Sequence, residues 1–184
     1  MKLFKKLAAA ALAAVLALSM VGCGAGSKGS TSTASELANM LVDTLDRMQI
    51  GAKHTGEMDD LAAALATSAG NAENAKETEM KNLLKDTTVL QNAGFTAEDL
   101  KNTAYFVSYA ENYKPQSPII TEEQKISWMA DQTMNHIQKV GKPANLGNVD
   151  ELELGAGTVK IGDTEYIVVV AKSVETPAPG TTKD

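Results

Sequence analysis

Two apolar runs, Ala156–Ile161 and Thr164–Lys172, flank the dipeptide Gly162-Asp163 in the segment AGTVKIGDTEYIVVVAK (residues 156–172). A two-residue loop with Gly first suits a primed turn, so the segment reads as a β-hairpin. Tyr166 to Val170 is apolar without alternation, which predicts a strand buried on both faces. Upstream, Thr103 to Tyr109 (TAYFVSY) concentrates β-branched and aromatic residues and reads as a second central strand, closed off by Pro115 and Pro118. Between these strands, Thr121 and Gln124 form a capping box. Behind that box, Ile126, Met129, Ala130, Thr133, Ile137 and Val140 lie within about 120° of arc at about 100° per residue, a strong amphipathic helix that Gly141 and Pro143 stop.

The first half of the chain has the helical period instead. Thr33 and Glu36 have capping-box spacing, and Leu37, Met40, Leu41, Leu45 and Met48 follow as one stripe. Met58, Leu61, Ala62, Leu65 and Ala66 make a second stripe ending near Gly70. Met80, Leu83, Leu84 and Leu90 mark a third, ended by Gly94 in a C-terminal cap position. The expected fold is therefore α+β: three N-terminal helices, then strand, helix and hairpin, with the helices layered on a small sheet of about three strands. The 184 residues suffice for one domain with a real core, expected at residues 35–174.

The N-terminus reads as an address. Lys2, Lys5 and Lys6 precede an apolar run from Leu7 to Val21, the size of a secretory h-region and short of the roughly 20 residues a membrane span takes. Met20-Val21-Gly22-Cys23 then resembles the lipobox of bacterial lipoproteins. That resemblance implies a signal peptide at 1–22 and lipidation of Cys23, the single cysteine, with the mature chain anchored outside the cytoplasm in the bacterial envelope. An ordinary signal peptide cut near Ala17-Leu18-Ser19 and a short membrane anchor that is never cut are the competing readings. Several acyl chains at about 0.8 kcal/mol per buried CH₂ hold far more firmly than one myristoyl group. Residues 23–34 form a Gly/Ser-rich linker and residues 175–184 (ETPAPGTTKD) an expected disordered tail.

Charge and composition remove several classes of function. The chain carries 17 basic and 23 acidic residues, net −6, and loss of the three leader lysines takes the mature chain to −9. Nucleic acid is disfavoured as a partner, and so is adsorption to an anionic bilayer through a basic face. A single cysteine excludes an intrachain disulfide and a cysteine-based zinc site. No nucleophile elbow, phosphate loop, zinc-protease helix or dinucleotide fingerprint occurs, so neither catalysis nor a cofactor is expected.

The residues that could carry chemistry are few. His136 falls at about 280° from Ile126 on its helix, on the shoulder of the apolar stripe; it is a hydrogen-bonded structural residue or a ligand. Trp128, at about 200°, points away from that stripe and either packs under a second layer or meets a partner. His54, between Gly51 and Gly56, reads as a solvated loop residue. Asp150, Glu151 and Glu153 read as solvated charge that could at most gather a hard cation.

Two family resemblances bear on the domain. Ala110-Glu111-Asn112-Tyr113, Trp128-Met129, His136, Leu154-Gly155-Ala156-Gly157 and a Tyr-bearing last strand resemble the motif order of bacterial CAP (SCP-like) domains, and an alanine-rich helix at Leu61–Ala69 also fits. That likeness implies a cleft near Glu111, Trp128 and His136 for a small ligand or a metal, although no histidine precedes Glu111 where the family's other cavity histidine would fall. Ala93-Gly94-Phe95-Thr96-Ala97-Glu98-Asp99-Leu100, with the strand, helix and valine-rich hairpin after it, resembles a family of small Firmicutes lipoproteins without known activity. The expected function is a lipid-anchored binding or interaction protein without catalysis, its partner an envelope protein or a small ligand. The alternatives are a CAP-like domain with a ligand cleft and a small solute-binding lipoprotein.

Overall fold

The three runs read as strands become neighbours in one mixed sheet. The structure, a computed structural model, describes residues 32–102, 104–114, 120–140 and 151–174. The expected leader, Cys23, most of the linker and the tail lie outside these residues. In chain order the elements are α1 (Thr33–Arg47), β1 (Gly51–His54), α2 (Gly56–Gly70), α3 (Met80–Leu83), α4 (Thr87–Asn92), α5 (Asp99–Asn102), β2 (Tyr105–Glu111), α6 (Glu122–Asn135), β3 (Gln138–Lys139), β4 (Glu151–Ile161) and β5 (Thr164–Ser173). The sheet order is β1-β4-β5-β2-β3. Only β1 runs parallel to its neighbour, β4; the other pairs are antiparallel.

Both faces of the inner strands are covered, as their unbroken apolar runs require. Ile167, Val169 and Ala171 of β5, with Phe106 and Ala110 of β2, point to a core shared with Leu37, Leu41 and Leu45 of α1 and Ile126, Met129 and Ala130 of α6. Val168, Val170 and Val107 point the other way, onto Met58, Ala62, Leu65, Ala66 and Ala69 of α2 and the α3–α4 segment. Each large side chain so buried contributes about 1.5–3 kcal/mol relative to exposure. The result is three layers, helix on sheet on helix.

Gly155 and Gly157 explain how close α2 comes. A Cβ at Gly155 would lie 2.1 Å from the Asp59 nitrogen, and one at Gly157 would lie 2.5 Å from the Ala63 Cα. The helix backbone therefore rests directly on β4, with alanines on the contact face in place of larger residues. The Gly-x-Gly segment is a packing device.

The structure corrects the expected fold in several places. The sheet has five strands, not about three, because two edge strands are too short to show a period. Gly51–His54 is held by parallel pairing with Glu151–Leu154, and Gln138–Lys139 by pairing with Phe106–Val107. The predicted helix to Val140 ends at Asn135 for the same reason. The third N-terminal helix is broken at Asp86, whose carboxylate accepts from the Thr88 and Val89 N–H groups and starts a new turn; Met80, Leu83, Leu84, Val89 and Leu90 remain buried. Thr96 and Asp99 cap a short α5 that no apolar stripe announces.

At the N-terminus, Ser32 rather than Thr33 caps α1, its side chain accepting from the Ser35 N–H. Other signals hold. Gly94 has φ +106° behind α4. The Thr121–Gln124 capping box is present in both directions. Among the described residues no helix is long and apolar enough to cross a membrane.

Candidate functional site at the outer edge of β2

β2 meets β5 along its whole length but β3 along only two residues, and the rest of its outer edge is met by side chains. The even residues bond inward: Ser173 N–H donates to Ala104 O, and Asn112 N–H to Glu165 O. The odd residues face outward. Val140 N–H donates to Tyr105 O, and Val107 pairs with Gln138. Past that point α6 takes over. His136 Nδ1 lies 3.4 Å from Tyr109 O, and Glu111 N–H donates to Gln132 Oε1 at 3.2 Å. A carbonyl can only accept, so the His136 contact places the proton on Nδ1 and leaves Nε2 as the outward nitrogen.

Aromatic rings surround this edge. His136 stacks on Tyr109 with centroids 4.4 Å apart and planes 2° from parallel. Tyr166 meets Tyr109 edge-on at 6.1 Å. Burial pushes both phenols above the ordinary tyrosine range, and the nearby Glu111 charge adds to this at each. Beyond the end of β2, Tyr113 packs against Trp128 at 4.7 Å. Trp128 is 40% exposed, one of two large apolar side chains so open among the described residues.

The expected site residues are thus brought to one edge but not into one cleft. Glu111 shares the sheet face of Tyr109 by strand alternation, and His136 stacks on that same tyrosine. Trp128 sits on α6, which covers the opposite face. A gap of about 20 Å³ lies elsewhere, beneath α1 and α6, lined by Leu41, Leu45, Phe106 and Thr133 among others; it has room for a single water. Among the described residues no three His, Cys, Asp or Glu side chains gather as a metal site. Glu151 and Glu153 lie on β4, with Glu151 paired to Lys53, and Asp150 is outside the described residues. Lys53 is held above its usual range chiefly by that hydrogen bond.

His54, expected in a solvated loop, is instead on β1, and its side chain is 20% exposed. Nε2–H donates to the Asp59 carboxylate at 2.9 Å, and Nδ1 lies 3.1 Å from Asn39 Oδ1. Asp59 also accepts from Ala156 N–H at 2.9 Å. Both ring nitrogens are occupied by structural partners, which leaves this histidine no free lone pair for a ligand.

Sequence reasoning missed Tyr109, Tyr166, Tyr113 and Gln132. Strand parity carried part of the signal, since Tyr109 and Glu111 must share a face; the pairing of Glu111 with Tyr166 required the sheet register. No family model, curated protein or solved structure matches the chain.

Proposed function

We propose that the protein is a lipid-anchored, extracytoplasmic interaction module, tethered through Cys23 and engaging a partner at the outer edge of β2 without catalysis. The observation that supports this reading is a pair of exposed rings at that edge: Trp128, packed on half-buried Tyr113, and His136, stacked on half-buried Tyr109 beside Tyr166. Large amphipathic rings bury much area at low conformational cost, which is why they dominate the centres of interfaces. A photo-crosslinking residue placed at Trp128 in living cells is expected to yield adducts, while the same residue at Lys85 is expected to yield none. Equal labelling at the two positions sinks the surface. For the anchor, fatty-acid labelling of cells should disappear in Cys23→Ala.

A second reading, a CAP-like ligand or metal cleft, is favoured by one observation: Glu111 and His136 lie on the same side of β2. It requires saturable zinc binding by calorimetry that is lost in His136→Ala. A small solute-binding lipoprotein is a third proposal; the gap of about 20 Å³ beneath α1 and α6 has room for a single water.

A further inference from the structure

We infer that the end of the domain carrying Trp128 and Tyr113 rests on the bilayer to which Cys23 is tethered, the tryptophan ring lying among zwitterionic lipid headgroups. The inference rests on the lipid-anchor reading and names lipid as what the Trp128 end of the surface meets. Two large apolar side chains stand open among the described residues, Trp128 at 40% exposure and Met48 at 53%. They mark opposite ends of the sheet, and the linker from Cys23 enters the domain at only one of them.

The direction of each helix follows from its contacts. Asp46 accepts from the Ala52 N–H, and Asn39 Oδ1 lies 3.1 Å from His54 Nδ1, so moving back along α1 means moving forward along β1. β1 runs parallel to β4. The start of α1 therefore points toward the Gly162-Asp163 turn, where β4 ends. On α6, Thr133 O accepts from Ser108, Gln132 Oε1 accepts from the Glu111 N–H, and Trp128 packs on Tyr113. Thus α6 also runs backward along its strand, β2, whose Glu111 lies opposite Tyr166 beside the same turn. Ser32, Tyr113, Trp128 and half-buried Ile120, just before α6, all stand at that end. Met48 closes α1 at the other, a helix of 15 residues away, or about 22 Å.

Chain length supplies the occupant. Ser32, the N-cap of α1, is nine residues from Cys23. At no more than about 3.3–3.6 Å per residue, that stretch reaches about 30 Å when fully extended. A lipidated Cys23 therefore keeps the Trp128 end close to the headgroups, at an effective concentration where a weak contact is enough to hold. Tryptophan and tyrosine are the side chains enriched at membrane–water interfaces, where an apolar ring with one polar atom suits the headgroup layer. Charge selects the lipid. Around Trp128, α6 and the end of β2 carry Glu111, Glu122, Glu123 and Asp131 against Lys114 and Lys125, and Lys125 lies 3.5 Å from Glu122. Farther along, Lys160 stands opposite Glu165 on the paired strands. Lys81, near Tyr109, belongs to the helices on the other face of the sheet. These elements offer an anionic surface no excess of positive charge, so rings make the contact and zwitterionic lipid receives it.

The test uses the lipidated protein taken from the membranes of producing cells and reconstituted in phosphatidylcholine vesicles, with Trp128, the chain's single tryptophan, as reporter. Mass spectrometry first establishes acyl chains on Cys23. Bromine placed high on the vesicle acyl chains should then quench Trp128 roughly twofold more than bromine placed deep, as a ring in the interface requires. Iodide in the water should quench Trp128 less than it does in the unlipidated Cys23→Ala protein. Met48→Trp in a Trp128→Phe background moves the reporter to the far end of α1 and should show neither effect.

A Trp128 that stays open to iodide and untouched by brominated lipid overturns the inference while the anchor stands; that end is then left to a protein partner, which crosslinking at Trp128 would report. Equal lipid quenching at positions 48 and 128 overturns it as well, since the domain then tumbles on its tether without a preferred face. Stronger quenching in phosphatidylglycerol vesicles than in phosphatidylcholine overturns the zwitterionic contact in favour of attraction through lysines. A Cys23 without acyl chains overturns this inference and the anchor together.

Discussion

Asp59 joins three elements through one carboxylate. It sits in the first turn of α2, accepts from His54 of β1, and accepts from the Ala156 N–H of β4. An acid near a helix N-terminus is favoured by the dipole, but its greater effect here is to close the gap between helix and sheet. Asp59→Ala leaves a strand N–H and an imidazole without their acceptor. We expect a loss of about 2–3 kcal/mol, the cost of stranding partly buried donors together with a charge-assisted bond, read as a lowered midpoint in urea. His54 was legible in the sequence only as a histidine between glycines. Its partners come from positions 39 and 59, and no local pattern ties them to position 54.

At the scale of elements, what the sequence revealed followed the size of the apolar signal. The hairpin, β2 and α6 stood out because each buries a continuous stripe or run. β1 and β3 did not, since four and two residues are too few to display alternation, and their pairing is a property of the neighbouring strand. Trp128, at the polar angle of α6, left packing and exposure open, and in the structure its ring packs on Tyr113 while 40% of the residue stays exposed. The break between α3 and α4 turned on Asp86 preferring its own backbone to a helical interior.

Close packing of α2 on β4 gives the sharpest contrast between two glycines. Gly157→Ala drives a methyl into the helix backbone at Ala63, which cannot yield without moving α2. We expect about 3 kcal/mol of destabilisation by thermal or chemical melting. Gly70→Ala meets only a Val159 side-chain methyl and gains helix propensity, so its cost should stay below about 1 kcal/mol. Comparable losses in the two variants would contradict the backbone contact.

For the whole molecule, Tyr109 and Tyr166 set an alkaline limit. Burial raises both phenols, so the folded state releases their protons later than the unfolded chain does. The stabilisation is fully present below the ordinary tyrosine value of about 10 and is lost as pH rises through that value and beyond, because the unfolded state then binds fewer protons. Denaturant melts should show stability falling with pH in this range, and the slope should flatten in a Tyr109→Phe, Tyr166→Phe double variant. An unchanged slope would place the alkaline sensitivity elsewhere.

The order in which the chain leaves the ribosome, or any export channel, meets an awkward geometry. The centre of the sheet, β4 and β5, is the last part to emerge, yet β1 must find β4 at a separation of about a hundred residues, and β2 must find β5. Until Thr164 to Ser173 is available, α1, α2 and α6 have no complete floor to lie on. The chain therefore has little to gain from early compaction, and acquires its shape late and all together. Residues 151–174, which supply both central strands, are thus the segment on which everything earlier waits.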